Sequence, residues 1–397
     1  MDHGERGRAS VAILGAIVCA ASARAGAAGP PASPRTVGLS ASLTPVARFD
    51  HVPVGVAVSR EHRIFLAFSR AVDADQPFSV AELRQGRPVA FPPGLGQDAG
   101  ARGDCRDQRL VSAQALAVDA RDRLWILDCA RVGNADPADP AAIKLLAVDL
   151  ASGAVVRTIT FPRDVAGPTA FFNDVAIDLR RGAGGTAYIT DASPNGPNGI
   201  VVVDLASGKS FRRLNGHAST RPDPGCVLRV EGEPLLFRAG PAKGKPLAVG
   251  ADGLALTPDG GSLYYAPLSS RHWFRVDAEA LADSRRSETD VARTVEDLGD
   301  KEFASDGLLG GADGSVYFTD VENNAIRRRP GPGGPLEIVV DAPQLLWPDS
   351  MALASDGTLY FTATQIERGE AFRGSDERRK PFTLWQVRVG TPPIRLR

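Results

Sequence analysis

Three segments in the second half of the chain begin with an aspartate and otherwise resemble one another. They read DGLALTPDGGSLYYAP from Asp252, DGLLGGADGSVYFTD from Asp306 and DSMALASDGTLYFTA from Asp349. Carboxylates can transfer protons, pair with a cationic ligand or bind a divalent cation. These three aspartates are therefore the first candidates for chemistry.

Three earlier segments have the same pattern but begin with a different residue. They start at Val54, Gln114 and Asn173, so two of the three leading side chains are amides. In every copy an apolar run, a turn rich in Asp, Gly or Arg, and a second run of β-branched and aromatic residues indicate a β-hairpin. Several hairpins are followed by a third strand, as in GIVVVDLASGKSF and HWFRVD.

These six repeated units predict an all-β fold, a six-bladed β-propeller. An isolated hairpin is only marginally stable in water, so each unit must bury its faces against its neighbours. Sheets of this size arranged around an axis form such a propeller. The segment LTPVARFD at 43–50 is expected to be the outer strand of the last blade, beside FTLWQVRV at 382–389. This pairing closes the ring, and the propeller domain is predicted to span 43–397.

The leading residues are expected to meet at the axis, because the first strand of each blade lines the central channel. We therefore predict a channel site for a ligand that includes Gln114, Asn173 and Asp349. If the protein is an enzyme, Asp252 and Asp306 are the predicted catalytic residues. The alternative is that Asp-Gly before a strand is only a turn signal, with the carboxylate accepting backbone N–H bonds.

Carboxylates gathered on one axis repel each other. At a separation of about 5 Å and an effective dielectric constant of about 20, two of them repel by about 3 kcal/mol. The oxygen ligands of Asn173, Asp252, Asp306 and Asp349 suit Ca²⁺ or another hard divalent cation better than Zn²⁺. A shared proton, or carboxylates that splay apart into water, would remove the need for a metal, so both alternatives remain open.

Other polar residues follow the return strands of the hairpins. Asp191 and Asp320, in YITD and YFTD, are candidates for contact with a ligand, as is Asp128 in WILD. Capping of a turn is the alternative for all three. His272, in SSRHWF, is the candidate histidine for the site, and a packed or surface histidine is the alternative.

Composition and missing motifs narrow the function. The formal net charge of -1 gives no electrostatic reason to expect nucleic acid or an anionic membrane as a partner. The sequence contains no His-Glu-x-x-His, Cys-x-x-Cys or Gly-x-Ser-x-Gly motif. The expected partner is a small-molecule ligand or substrate, and the oligomeric state is not determined.

The beginning of the chain is typical of a secretory signal peptide. Arginines precede an apolar run at 11–23, and Ala-Arg-Ala at 23–25 fits a cleavage site. We predict a signal peptide over 1–25, a Pro/Ala-rich linker over 26–42, and a secreted or periplasmic protein that is free of the membrane after cleavage. A retained anchor is the alternative.

Cleavage would leave three cysteines, Cys105, Cys129 and Cys226. The first two stand at the ends of neighbouring predicted strands, so they could form a disulfide and leave Cys226 free. Three unpaired thiols are the alternative, because the sequence does not fix any Cα separation.

The repeated segments resemble the blade motifs of the major royal jelly protein and insect yellow protein family. The matching segments are CRDQRLVSAQALAVDARDRLWILD, FFNDVAIDLRRGAGGTAYITDAS, ADGLALTPDGGSLYYAPLSSR, SDGLLGGADGSVYFTDVENNAI and LLWPDSMALASDGTLYFTATQ. The resemblance implies a secreted six-bladed propeller. It also implies a looser similarity to senescence marker protein and gluconolactonase propellers.

The resemblance suggests several functions and leaves open whether the protein is an enzyme. In the lactonases it implies an axial metal held by Glu, Asn and Asp; Asn173 and Asp252 match the last two, whereas Val54 stands in place of the glutamate. The enzymes implied are a lactone hydrolase and a dopachrome tautomerase. The alternatives are a protein that binds an aromatic or amine ligand in the channel mouth, and a scaffold with no small ligand.

Overall fold

Six sheets, each with four antiparallel strands and one with a fifth, parallel strand, surround one axis in the structure, a computed structural model that describes residues 35–36, 42–97, 109–133 and 142–397. The first strand of each blade contacts the first strand of the next blade, and blade 6 contacts blade 1. The six-bladed β-propeller predicted from the repeats is confirmed.

The blades are numbered in chain order, and their strands run from the axis outward. Blade 1 contains Gly55–Val58, Ile64–Ala67, Val80–Arg84 and Arg87–Ala90. Blade 2 contains Ala113–Val118, Arg123–Asp128, Lys144–Asp149 and Val155–Thr160. Blade 3 contains Phe172–Asp178, Thr186–Asp191, Gly199–Asp204 and Ser210–Arg213.

The second half of the ring repeats this arrangement. Blade 4 contains Ala251–Leu256, Ser262–Pro267, His272–Asp277 and Glu296–Asp300. Blade 5 contains Leu308–Gly310, Val316–Asp320, Ala325–Arg329 and Glu337–Asp341, with Arg35–Thr36 in parallel beside the last of these. Blade 6 contains Pro348–Leu353, Thr358–Ala363 and Phe382–Arg388, and its outer strand is Thr44–Phe49.

The ring is closed by a strand from the beginning of the described chain. Thr44–Phe49 pairs antiparallel with Phe382–Arg388, with Phe49 opposite Phe382. Ala47 and Phe49 point into the blade and are buried. The predicted closure is confirmed, and blade 6 has its full set of strands although the chain supplies them from two distant segments.

The core consists of six apolar layers, one between each pair of neighbouring blades. The layer between blades 2 and 3 contains Trp125, Leu127, Ile189 and Val201. Because both faces of a blade are covered, the second strands are buried along most of their length. This burial explains why they read as continuous apolar runs rather than as an alternating pattern.

Short helices and one hairpin lie in the connections. They are the α-helices Ala278–Ala282, Glu288–Ala292 and Glu370–Arg373, the 3-10 helices Ala218–Thr220 and Ile366–Arg368, and the hairpin Arg229–Val230 with Glu233–Pro234. Segments 226–249 and 366–372, which we call the cap, pack together in a seventh apolar cluster. The cluster includes Trp347 and loop residues next to the starts of the inner strands of blades 4 to 6. The cap therefore lies at that end of the channel.

The opposite end of the channel is crossed by the tail of the chain, residues 391–396. Pro393 pairs with Gly311, and Arg395 donates to the backbone oxygens of Val58 and Asp119 at 3.4 Å each. Residues 393–395 line the axial cavity. No feature of the repeat pattern indicated that the tail of the chain crosses this end of the channel.

Candidate functional site

The six residues that head the inner strands line one axial cavity of about 190 Å³. They are Val54, Gln114, Asn173, Asp252, Asp306 and Asp349. Apolar side chains from the same strands, such as Leu254 and Leu308, line the cavity farther along the axis. The structure thus brings together every leading position identified from the repeats.

β-Bulges direct these leading side chains toward the axis. The pairing register shifts after Ala113, Phe172, Ala251 and Pro348, in four of the six blades. A bulge leaves an extra residue unpaired and re-aims its side chain. The Asn or Asp at these shifts can therefore face the channel while the strand beyond it continues in regular pairing.

The residue after each leading position is usually small because the next blade passes close to it. A Cβ added to Gly253 would lie 2.5 Å from the backbone oxygen of Asp306, and one added to Gly307 would contact the backbone oxygen of Asp349. Glycine is required where two backbones approach so closely. The recurrent Asp-Gly pair thus reflects blade packing as well as the site.

Threonines from the second strands accept the backbone N–H of the residue after a leading position. Thr190 accepts from the N–H of Asp174 at 3.1 Å, and Thr319 accepts from the N–H of Gly307 at 2.8 Å. Thr362 does the same for the residue after Asp349, at 3.1 Å. These bonds help to position the leading residues because each one fixes the backbone of the residue that follows a leading position.

Hydrogen bonds link the polar side chains around the ring. The Gln114 amide donates to Asn173 Oδ1 at 2.9 Å, and the Asn173 amide donates in turn to Asp252 Oδ1. On the other side, Trp347 Nε1 donates to Asp306 Oδ2 at 2.7 Å. Trp347 has φ 51°, an unusual backbone conformation for a bulky residue that is often found at binding sites.

A fourth carboxylate, Asp174, lies beside the predicted ones. It occupies the position that is Gly253 in blade 4, and it accepts from the N–H groups of Val175 at 2.8 Å and Leu254 at 3.3 Å. We did not identify it from the sequence. The indication of Asp174 in the sequence was the pair Asn-Asp in FFNDVA, at the position where blade 4 has the pair Asp-Gly.

Burial raises the pKa of all four carboxyl groups. The pKa of Asp174 is raised to about 7, chiefly by burial and further by the charge of Asp306. Burial also raises the pKa of Asp306 to about 6, although the bond from Trp347 opposes this shift. The pKa values of Asp252 and Asp349 are raised well above their ordinary range, first by burial and then by the neighbouring aspartates.

The ring lacks a basic partner within the part of the chain that the structure describes. The charged groups that shift the pKa values of Asp174, Asp252 and Asp349 are other aspartates, and no Lys or Arg forms an ion pair with any of the four. Such a site can bind an organic cation, bind a hard metal ion, or hold and transfer a proton.

The oxygen atoms of the ring are suitable ligands for a metal ion, but their positions are too far apart to share one. Carboxylate and amide oxygens are the ligands that hard divalent cations prefer. However, no three axial aspartates place their oxygens within 4.8 Å of one another; among the described residues only His51, Asp73 and Asp75 form such a group. Val54 offers no ligand atom. The axial residues therefore need rearrangement before they can share one ion.

Asp191, Asp320 and His272, the other candidates for contact with a ligand, do not line the axial cavity. Asp191 accepts from the N–H of Phe171 and from Arg212, and Asp320 accepts from Arg327 at 2.9 Å. These buried carboxylates fasten strands within one blade. Asp128 has the same role with Lys144, at 3.0 Å.

His272 lies on the third strand of blade 4, where it is 43% exposed. It pairs with Asp297 at 2.9 Å, and this contact raises the pKa of the imidazole. Two strands separate it from the axis. A residue next to a candidate hairpin in sequence can therefore be far from the site, because each added strand moves the chain outward.

Several predictions concern residues outside the described ranges. They include the signal peptide over 1–25, nearly all of the linker over 26–42, and Cys105. Cys129 and Cys226 have free thiols, and that of Cys129 is buried. No helix in the described ranges combines the length and apolar character that a membrane span requires.

Comparison with known proteins gives the same family as the motifs. The family model for "Major royal jelly protein" matches residues 111–368. Major royal jelly protein 7 of Apis mellifera is 28% identical over 222 residues, which are 55% of this chain and 46% of that protein. Protein yellow of Drosophila subobscura is 27% identical over 290 residues, 69% of this chain and 48% of that protein. The matched regions cover less than half of each relative.

Solved structures share the propeller fold at low sequence identity. A luciferin-regenerating enzyme superimposes with a TM-score of 0.55 at 12% identity, covering 90% of this chain and 99% of that one. A gluconolactonase from Xanthomonas campestris gives a TM-score of 0.52 at 12% identity, covering 90% and 95%. These similarities support the fold alone. The family match over most of the propeller shows that this chain belongs to the major royal jelly protein family.

Proposed function

We propose that the axial cavity binds a small molecule that carries a protonated amine. The observation behind this proposal is a ring of four carboxyl groups, which has no basic partner among the described residues: Asp252, Asp306 and Asp349 are buried, and Asp174 is partly buried. An ammonium group offsets the mutual repulsion of the carboxylates and supplies the N–H donors that they lack.

The remainder of the cavity suits a compact apolar body. Val54, Val175, Leu254 and Leu308 contribute aliphatic side chains beside the carboxylates. Ligand sites typically combine such an apolar lining with a few polar groups that fix orientation. A volume of about 190 Å³ accommodates a small ligand, such as one aromatic ring with a short amine side chain.

Tyramine and its neutral analogue tyrosol test the proposal directly, because they differ only in the amine. Calorimetric titration of the purified chain is expected to show saturable binding of tyramine and at least tenfold weaker binding of tyrosol. Asp252→Asn is expected to weaken tyramine binding, whereas Asp356→Asn, in the exposed turn between the first and second strands of blade 6, is a matched control that leaves it unchanged. Equal affinity for both compounds would show that the carboxylates do not recognise a cation.

A second candidate is an enzyme that acts on a lactone or on dopachrome with the help of a divalent cation. It is supported by the raised pKa values of Asp252 and Asp306, which suit proton transfer near neutral pH, and by the fold shared with a gluconolactonase. In this proposal Asn173, Asp252, Asp306 and Asp349 hold Ca²⁺ or a similar ion, which polarises a carbonyl oxygen.

Turnover separates the two candidates. Metal content is measured on the purified chain, and glucono-lactone and dopachrome are assayed with and without chelator. Chelator-sensitive turnover that disappears in Asp252→Ala supports the enzyme. Tyramine binding without turnover of either substrate supports the binding protein.

We further propose that the protein is exported and that its signal peptide is removed. The charged start, the apolar run and the Ala-Arg-Ala sequence support this proposal. N-terminal sequencing of protein recovered outside the cytoplasm is expected to begin at Gly26. Recovery of the full-length chain from the cytoplasm alone would contradict it.

A further inference from the structure

A second group of possible metal ligands lies outside the axial cavity. His51 lies two residues after the end of the outer strand Thr44–Phe49, and Asp73 and Asp75 lie in the loop between the second and third strands of blade 1. One possible ligand atom from each residue lies within 4.8 Å of the other two. Two segments distant in sequence are thus brought together by closure of the ring.

The loop that carries the two aspartates is held in place. Gln76 donates to the backbone oxygen of Val52 at 3.1 Å, which ties the loop to the residue after His51. The buried Arg70 donates to the oxygen of Gln76 at 3.0 Å and to Ser79 Oγ at 3.1 Å. The three candidate ligands are therefore prepositioned, which lowers the conformational entropy lost when an ion binds.

His51 contributes an unpaired nitrogen. Its Nδ1 is shielded from solvent and has no hydrogen-bond partner among the described residues. Leaving a buried polar atom unpaired costs free energy, and the carboxyl groups of Asp73 and Asp75 lie close enough to share a hydrogen bond. A bound cation accepts the imidazole lone pair and takes the place of the proton that the two carboxyl groups otherwise share.

Other charged groups face the cluster from blade 6. Arg378 Nη2 lies 4.0 Å from Asp73, but the same guanidinium is more closely paired with Asp376, at 2.7 Å. Lys380 also acts on Asp75. These cations offset part of the negative charge at longer range, yet neither can ligate an ion or accept a bond from His51.

We propose that His51, Asp73 and Asp75 form a binding site for one divalent transition-metal ion such as Zn²⁺. One imidazole nitrogen and two carboxylate oxygens are a donor set found in zinc sites, whereas Ca²⁺ prefers oxygen ligands alone. Ligand atoms at about 2.1 Å from an ion lie at most about 4.2 Å apart. Because the separations lie within 4.8 Å, at most a small rotation of the exposed Asp75 side chain is needed, and water completes the coordination.

The test is calorimetric titration of the chelator-treated full chain with Zn²⁺ and with Ca²⁺. One Zn²⁺ is expected to bind per chain, at least tenfold more tightly than Ca²⁺. Asp75→Asn, at an exposed position that should not disturb folding, and His51→Ala are expected to weaken Zn²⁺ binding at least tenfold. His62→Ala, which changes a histidine outside the cluster, is the matched control and keeps wild-type affinity.

The axial aspartates are a separate set of possible ligands, so Asp252→Asn is titrated in parallel. Zn²⁺ binding that persists in Asp252→Asn and is lost in His51→Ala supports the proposed site. Absence of stoichiometric Zn²⁺ binding, or binding that depends on Asp252 but not on His51 and Asp75, overturns it. Absorption bands of bound Co²⁺ that change in His51→Ala would show the imidazole ligand directly.

Discussion

Asp174 shows how one residue changes the character of the ring. In blades 4 and 5 the position after the leading residue is glycine, which only allows the next blade to approach. In blade 3 the same position carries a partly buried carboxyl group beside three others, and its pKa is raised from an ordinary value of 3.8 to about 7. A partly desolvated group of this kind lowers stability when it ionises.

Asp174→Asn is expected to flatten the dependence of stability on pH. Because the folded chain holds the proton of Asp174 more tightly than the unfolded chain, the stability it contributes is fully present below about pH 4 and is lost as the pH rises to about 7. The loss is on the order of 2 to 4 kcal/mol. Urea unfolding at pH 4.5 and pH 7.5 measures it, with Asp356→Asn as the control that retains the wild-type slope. An unchanged slope in Asp174→Asn would contradict the raised pKa.

The affinity for tyramine is expected to rise between pH 5 and pH 8. An ammonium group binds the ionised carboxylates, whose pKa values are raised, so binding at lower pH must first displace protons. Each displaced proton changes the affinity by up to about tenfold per pH unit. Calorimetry in buffers of different ionisation enthalpy measures the protons released. Affinity that is independent of pH, with no proton release, would argue against binding at the ring.

At the scale of the strand, the site depends on a bulge and on a threonine behind it. The bulge interrupts pairing, and the threonine of the second strand accepts the N–H that the interruption leaves free. Thr190 and Thr362 have this arrangement in blades 3 and 6, and Thr319 accepts the corresponding N–H in blade 5, where the pairing register does not shift. The T in YITD, YFTD and YFTA is therefore a structural part of the site.

Thr319→Val is expected to destabilise the protein by about 1 to 3 kcal/mol, because it leaves the N–H of Gly307 without an acceptor in a buried place. Valine has almost the same shape, so little packing is lost. The midpoint of urea unfolding measures the effect. Thr383→Val, on the third strand of blade 6 and only partly buried, is the control. Equal stability of the two variants would show that the threonine bond is unimportant.

At the scale of the whole molecule, a single strand closes the ring. The hydrogen bonds between Thr44–Phe49 and Phe382–Arg388 join the beginning of the described propeller to its last blade. Closure covers the outer edge of Phe382–Arg388. It also places His51 beside blade 1, so the proposed zinc site depends on the same junction.

A chain that begins at residue 51 is expected to melt at least 10 °C lower than one that begins at residue 26, and to aggregate more readily. The shorter chain lacks the closing strand, which leaves the third strand of blade 6 as an exposed edge and uncovers the layer around Leu384. The longer chain retains the strand and is the matched control. Thermal unfolding and light scattering measure both effects. Similar melting temperatures would show that closure contributes little.

The sequence by itself determined the number of blades, the strand that closes the ring and the six positions that head the inner strands. It could do so because each blade repeats the same hairpin, and the period of the repeat survives even where the leading residue changes to Val54, Gln114 or Asn173. Position in the repeat therefore predicts position around the axis.

Only the tertiary structure decided which other polar residues join the ring. Asp174 enters the site because a bulge turns its side chain inward, whereas Asp191 and Asp320 leave it because they form buried ion pairs with arginines from other strands. The tail at 391–396 and the cluster of His51 with Asp73 and Asp75 also appear only in three dimensions. Each of these features joins segments that are distant in sequence. A repeat pattern records the spacing within a blade but not the contacts between distant segments.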